Sequence, residues 1–140
     1  MIKTHKIPEK ILEHIYKAET YLDSHPKVVF AYLFGGLAKA RCGPLSDIDI
    51  AVYLSNGGNT AQEKMEILGN LIELLNTDEI DLVILNTASL PLRAKILEEK
   101  KVLVDSSPFL RHKFESLTLR EYFDFSIKEM EIYKKRYSIG

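Results

Sequence analysis

Leu33-Phe34-Gly35-Gly36-Leu37-Ala38-Lys39-Ala40-Arg41-Cys42-Gly43-Pro44-Leu45-Ser46-Asp47-Ile48-Asp49-Ile50-Ala51-Val52-Tyr53 is the stretch on which the fold turns. An apolar run, Val28 to Phe34, stops at a glycine pair. A connection of small and polar residues follows. A second apolar run then opens with two carboxylates, Asp47 and Asp49. Along a strand, residues i and i+2 share a face. Asp47 and Asp49 are therefore expected to project together, with Ile48 and Ile50 on the other side. Two neighbouring carboxylates at the start of a buried strand repel each other and cost stability unless a cation lies between them. The glycine turn offers backbone N–H groups to an anion. Together these features predict a site for a metal-bound polyphosphate.

The rest of the composition narrows the class. With 140 residues, the chain is expected to form one domain, residues 1–140, around one core. Hydrophobic residues make up 46% and charged residues 28%, a globular balance. A net charge of −1 gives no support for a general nucleic-acid or anionic-membrane binder. The single cysteine, Cys42, allows no intrachain disulfide and no cysteine-based zinc cluster, which fits a reducing cytoplasm. The opening Met-Ile-Lys-Thr-His-Lys-Ile-Pro lacks an apolar signal core, and no apolar run approaches the roughly 20 residues of a membrane span. A cytoplasmic location is expected.

Periodicity supplies the elements around the central stretch. Pro8 to Leu22 reads as a helix with Ile11, Ile15, Ala18 and Leu22 on one stripe. Val28 to Phe34 reads as a central strand covered on both faces, because its apolar run is nearly continuous. Leu37 to Arg41 is expected as a short helix and Asp47 to Leu54 as the second strand. A helix follows from Asn59 or Thr60 to about Leu75, with Met65, Leu68, Ile72 and Leu75 as its expected buried side. Ile80 to Leu85 reads as the third strand and Ala88 to Glu99 as a helix with Pro91 in its first turn. Val102 to Val104 is expected as a short edge strand. From Pro108 onward the pattern is a long charged helix. The whole is an α/β (α+β) domain, a small mixed sheet of about four strands flanked by helices.

Asp81 lies between Ile80 and Leu82 in the third strand. A lone Asp in an apolar strand ordinarily faces solvent or marks the strand's end. Beside Asp47 and Asp49 it completes a set of three carboxylates on adjacent strands, and such a set suits one or two Mg²⁺ ions shared with substrate phosphates.

Gly35-Gly36, ten intervening residues, Asp47-Ile48-Asp49, and Asp81 on a later strand resemble the DNA polymerase β-type nucleotidyltransferases. The closer resemblance is to the minimal nucleotidyltransferases, the MNT group. Its segments are similar to Phe34-Gly35, Leu37-Ala38-Lys39, Pro44-Leu45-Ser46-Asp47-Ile48-Asp49-Ile50-Ala51-Val52 and Ile80-Asp81-Leu82-Val83. The later segments Leu97-Glu98-Glu99-Lys100-Lys101-Val102-Leu103 and Tyr122-Phe123-Asp124-Phe125 also look similar. The resemblance implies a palm-like nucleotidyltransferase fold with a C-terminal helix. It implies transfer of AMP from ATP, bound with Mg²⁺, to an acceptor hydroxyl, with pyrophosphate leaving. By resemblance Asp47, Asp49 and Asp81 are the catalytic, metal-binding residues, and Gly35, Gly36, Lys39 and Ser46 contact the nucleotide. MNT proteins are commonly paired with a HEPN-domain RNase toxin, which they neutralise by adenylylating a tyrosine. A cognate HEPN toxin is therefore the implied partner, and the chain is expected as a homodimer or as part of a hetero-oligomer.

Two positions depart from the family's pattern. Its usual Gly-Ser is Gly35-Gly36, which keeps the turn but loses a hydroxyl contact to phosphate. Loss of one hydrogen bond to a charged group costs about 1.5–3 kcal/mol, roughly tenfold to a hundredfold in binding or rate. Ala40 stands where glycine is frequent and disfavours a positive φ. A second expectation follows from these changes, an antitoxin that neutralises the HEPN toxin by binding alone. Transfer to a small molecule such as an aminoglycoside would need a second domain to shape its pocket.

Other chemistry-bearing residues have plainer readings. Arg41 reads as a surface residue, and Ser46 as a turn residue able to orient Asp47. His5, His14, His25 and His112 are scattered without metal-ligand spacing. Arg93 and Lys95 read as a solvated helix face able to meet nucleotide or partner. Phe123, Phe125, Tyr133 and Tyr137 are too many for one core stripe, which marks part of the last helix as an interface.

Overall fold

In the computed structural model, residues 9–38, 48–55 and 60–137 are described. Their elements run α1 (Glu9–Ser24), β1 (Val28–Phe34), α2 (Gly35–Ala38), β2 (Ile48–Leu54), α3 (Thr60–Leu75), β3 (Ile80–Ile84), α4 (Leu90–Glu99), β4 (Lys101–Asp105) and α5 (Pro108–Tyr137). The four strands form one mixed sheet in the order β3-β2-β1-β4. β1 is antiparallel to both β2 and β4, whereas β2 and β3 are parallel. Parallel neighbours need a crossover, and α3 supplies it. β1 is a central strand, with β2 beside it, and β4 is an edge, as the sequence patterns indicate.

The sheet buries both faces. On one side Ile48, Ile50, Val52 and Leu54 of β2 meet Ala18 and Leu22 of α1 and Ile67, Leu71 and Leu75 of α3. On the other, Phe30, Tyr32 and Phe34 of β1 and Ala51 of β2 meet Ile96 and Leu97 of α4. Alternation along β2 therefore divides Ile48, Ile50 and Val52 from Asp49, Ala51 and Tyr53. Asp49 belongs to the side covered by α4 and α5.

Local chemistry sets the ends of elements. Asn76 takes φ 53°, a left-handed cap after α3 that Asn tolerates. Ser89 caps α4, accepting a 3.4 Å hydrogen bond from Leu92 N–H, with Pro91 in the first turn. Ser107 Oγ accepts from Leu110 N–H at 3.3 Å and starts α5 the same way. Beyond β3, the Asn86 side chain replaces a strand partner: Leu54 N–H donates to its Oδ1 at 2.8 Å, and its Nδ2 donates to Leu54 C=O at 2.9 Å.

Several expectations shift. The short helix begins at Gly35, directly after β1, rather than at Leu37. α4 starts at Leu90 rather than Ala88, because Ser89 is the cap. Met65 is 70% exposed, and the buried row of α3 is Ile67, Leu71 and Leu75, with Leu68 partly buried against it. A four-residue step along this row keeps one face toward the sheet, and Met65 lies outside it.

α5 is a helix of 30 residues whose root is pinned and whose end is not. Phe114 packs its ring 5.6 Å from Phe30 and 5.4 Å from Tyr53, which are themselves stacked at 4.8 Å. Tyr32 OH donates to Glu115 Oε2 at 2.6 Å. Arg111 and Lys100 pair with the same carboxylate at 3.2 and 3.3 Å, and Arg111 Nε lies 3.0 Å from Asp105. Burial alone would raise the Glu115 pKa, but the Tyr32 hydrogen bond and the two cations outweigh it and hold the carboxyl low. Burial, aided by Glu115, pushes the Tyr32 phenol well above its ordinary value. Beyond Thr118 every described residue of α5 is exposed. Among the described residues no helix is long and apolar enough to cross a membrane.

Candidate active site

The site lies where three strand ends meet. Register places Asp49 of β2 opposite Phe34, the last residue of β1, and opposite Asp81 of the parallel strand β3. Paired residues on adjacent strands project to the same face and stand about 4.8 Å apart. The two carboxylates are thus brought side by side by strand pairing, although they stand 32 positions apart in the sequence (81 − 49 = 32). Asp81 is exposed and Asp49 partly so, as solvent-facing metal ligands require.

Gly35 is built against this pair. It takes φ +73°, the left-handed region that L side chains rarely adopt. A Cβ at this position would overlap Asp49 Oδ2 and lie 3.1 Å from its Cγ. The turn after β1 therefore presses bare backbone onto the carboxylate, and only glycine permits the approach. The family resemblance implies that Gly35 contacts the nucleotide; its geometry adds the seating of Asp49.

A cleft of about 380 Å³ opens here, lined by Phe34, Gly35, Gly36, Asp49, Asp81, Leu92, Lys95 and Glu99. A second hollow of about 520 Å³ adjoins it, sharing Phe34, Asp81 and Leu92 and reaching Thr60, Lys64 and Thr87. Ligand sites commonly span about 300–1,000 Å³, so the combined space has the scale of a nucleotide. Asp49, Glu99 and Lys95 line the first hollow alone, Leu82, Val83 and Ala88 line the second alone, and Phe34, Asp81 and Leu92 line both.

Of the residues expected from the sequence, Gly35, Gly36, Asp49 and Asp81 come together in one cleft. Lys39, Ser46 and Asp47 lie outside the described residues, as do Ala40, Arg41 and Cys42. Among the described residues no three His, Cys, Asp or Glu side chains are grouped as a metal site. The donor set that is described is nevertheless suited to a hard cation: two adjacent carboxylates in a cradle kept open by the missing Cβ of Gly35.

Sequence reasoning missed Leu92 and Glu99, and read Lys95 as a solvated residue able to meet nucleotide or partner; it is exposed and at the cleft. Their spacing, 92, 95 and 99, is one helical face, and Lys95 does line the cleft. Arg93 turns elsewhere, its guanidinium 6.0 Å from the Phe114 ring. The signal was available as periodicity on α4, but nothing in the sequence shows which face of that helix meets the carboxylates.

The comparisons with known proteins bear on this arrangement. The family model described as "Polymerase beta, Nucleotidyltransferase" matches residues 16–109, more than half of the chain and all of the strand-end site. The chain belongs to the polymerase β-type nucleotidyltransferase family. No curated protein sequence matches it. Solved structures of the same fold include a toxin–antitoxin with AMP-PNP, 26% identical, covering 92% of this chain and 97% of that one, with a TM-score of 0.67. The toxin–antitoxin MntA-HepT is also 26% identical, covering 91% and 99%, with a TM-score of 0.68. A tri-AMPylated Shewanella oneidensis HEPN toxin in complex with MNT antitoxin shares the fold at 24% identity, covering 92% and 99%, with a TM-score of 0.65. In this nucleotidyltransferase-family chain the glycine turn and the paired aspartates lie within the matched residues.

Proposed function

We propose that this nucleotidyltransferase transfers AMP from ATP to a hydroxyl of a partner protein, acting as an MNT-type antitoxin on a HEPN toxin, in the manner of a 2.7.7-class enzyme. The single observation that carries the reading is the strand-paired Asp49 and Asp81 beneath the glycine turn. The partner assignment is supported by the likeness to toxin–antitoxin complexes, one holding AMP-PNP.

In this reading Asp49 and Asp81, with Asp47, hold Mg²⁺, and one or two such ions supply charge neutralisation on the reacting phosphate and the leaving pyrophosphate. The chain's own residues do the positioning. Gly35 and Gly36 present backbone N–H groups to the triphosphate without a side chain in the way. Lys95 offers a cation at the same cleft, and Lys39 and Ser46 serve the nucleotide from the connection between α2 and β2. The apolar floor at Leu82, Val83 and Leu92 gives the base or ribose a dry wall. Asp81 is exposed and lines the cleft, which supports a role for it in accepting the proton of the incoming hydroxyl. The proposed setting is the cytoplasm, as for a toxin–antitoxin pair.

The test compares wild type with Asp49→Asn and Asp81→Asn, each mixed with ATP, Mg²⁺ and the protein encoded by the adjacent gene. AMP addition is read by mass, and protection from the toxin is read in cells. Loss of modification by roughly a hundredfold or more in both variants is expected. Protection that persists in both, with modification abolished, would instead establish the binding-only antitoxin that Gly36 favours.

A further inference from the structure

Two features are left over once the cleft is assigned. One is the exposed half of α5. The other is a groove of about 810 Å³ between α4 and the root of α5. Pro91, Ala94, Lys95, Lys100, Leu119 and Tyr122 are among its walls. Both features touch the cleft or each other. Lys95 lines the carboxylate cleft and the groove alike, so it stands on the ridge between them. Leu119 and Tyr122 line the groove and begin the exposed half of α5.

The exposed half of α5 carries a regular seam. Leu119, Phe123, Ser126, Met130, Tyr133 and Tyr137 follow at steps of four, three, four, three and four. This is the heptad spacing that keeps one stripe toward a neighbouring helix. Tyr122 and Ile127 flank it. Leu119, Phe123, Met130, Tyr133 and Tyr137 are 56–65% exposed, an unusual state for five large apolar side chains on one stripe. At roughly 200 Å² per large side chain, the stripe and its flanks expose about 700 Å². That approaches the ~800 Å² each partner gives to a standard interface. The run from Leu119 to Tyr137 is about 27 Å long at 1.5 Å per residue.

Charge chooses the occupant. The flanking positions carry Arg120, Lys134 and Arg136 against Glu129 alone, a basic border. The far face mixes signs, with Asp124 and Glu131 each four residues before Lys128 and Lys135. A second copy in antiparallel array would set Glu129 against Glu129 and Arg120 against Lys134. A parallel second copy would stack Phe123, Met130 and Tyr137 on their own images, sizes that a two-stranded seam does not favour. A helix from a different protein, with acidic residues beside its apolar stripe, meets both conditions.

We propose that the α5 seam and the α4/α5 groove are one docking surface for the acceptor protein: its acidic-flanked helix lies on the seam, and an adjoining segment follows the groove past Lys95 to present its hydroxyl at Asp49 and Asp81. This deepens the function proposed above and rests on it for the chemistry at the cleft. The seam gives affinity, and the groove sets which hydroxyl arrives.

The test uses the full chain and the protein encoded by the adjacent gene. Two variants, Leu119→Glu/Tyr122→Ala and Phe123→Asp/Tyr133→Asp, change only exposed positions, with circular dichroism and MgATP affinity as controls. The expected result is a KM for the acceptor protein raised at least tenfold, with kcat and MgATP affinity within about twofold of wild type. An unchanged KM overturns the docking surface and leaves the transfer reaction standing. If wild type modifies nothing, calorimetry of the two proteins decides: tenfold weaker binding by both variants supports the surface while the transfer reading fails. Sedimentation showing a wild-type dimer broken by the variants, with acceptor binding intact, assigns the seam to a second copy and overturns the proposal.

Discussion

Replacing Gly35 by alanine separates the two reasons for a glycine after β1. The residue takes φ +73°, and a left-handed backbone costs a non-glycine residue about 1–2 kcal/mol. The new methyl group would also overlap Asp49 Oδ2, so the carboxylate must turn away from its seat, about 0.5–1.5 kcal/mol if it leaves its rotamer well. Together these give a loss of about 2–3 kcal/mol. A domain stable by about 5–15 kcal/mol survives this. At a urea slope of about 1.5 kcal/mol/M the midpoint falls by about 1–2 M. The second consequence is functional. A misplacement of about 1 Å at a reacting centre costs on the order of 100-fold in rate, so transfer should fall further than stability alone explains. Gly69→Ala is the matched control. No atom lies within 4 Å of a Cβ built there, in the middle of α3, so the same change should stabilise by about 0.5–1 kcal/mol. If Gly35→Ala unfolds at the wild-type urea concentration and keeps wild-type MgATP affinity, the cradle reasoning is refuted.

Tyr32→Phe removes the 2.6 Å hydrogen bond to Glu115, and a loss of about 1–2 kcal/mol is expected by urea unfolding because Arg111 and Lys100 still hold the carboxylate. The Glu115 carboxyl is held below its usual range, so its contribution is present above the unfolded value of about 4.3 and is lost as pH falls through the folded value. The stability gap between wild type and Glu115→Gln should therefore shrink on acidification below about pH 4.3; a gap independent of pH would contradict the pairing. Leu71→Ala, in the fully buried row of α3, should cost about 2–5 kcal/mol, whereas Met65→Ala, at a side chain 70% exposed, should stay within about 0.5 kcal/mol in thermal or urea unfolding.

The strands were legible because their signals are local. Val28 to Phe34 matches its strand residue for residue, since a nearly continuous apolar run has one use here, a strand buried on both faces. Asp81 was legible as a further carboxylate in an apolar strand, and the register of β2 with β3 sets it beside Asp49; the expected pairing of Asp49 with Asp47 falls outside the described residues. Met65 misled because three- and four-residue steps fit two overlapping stripes of α3, and only packing against the sheet chooses between them. Leu92 and Glu99 were hidden, and Lys95 could not be told from Arg93, for a related reason: the face that α4 shows the cleft depends on how α4 sits on β1, a tertiary relation. Gly35 was legible as a turn, but its contact with Asp49 joins residues fourteen positions apart and needs the folded register (49 − 35 = 14). Phe123, Tyr133 and Tyr137 were readable as a surplus of apolar surface, and their exposure on α5 agrees with that.

The central claim is nucleotidyl transfer at the Asp49/Asp81 cleft, and the position of the label decides it. Wild-type protein, Mg²⁺ and the adjacent-gene protein are incubated in parallel with ATP labelled at the α- or the γ-phosphate. Label on the acceptor from the α-position alone, released pyrophosphate, and loss of both with Asp81→Asn are the predicted results. Acceptor labelled from the γ-position, or α-label transferred equally by Asp81→Asn, would contradict the account.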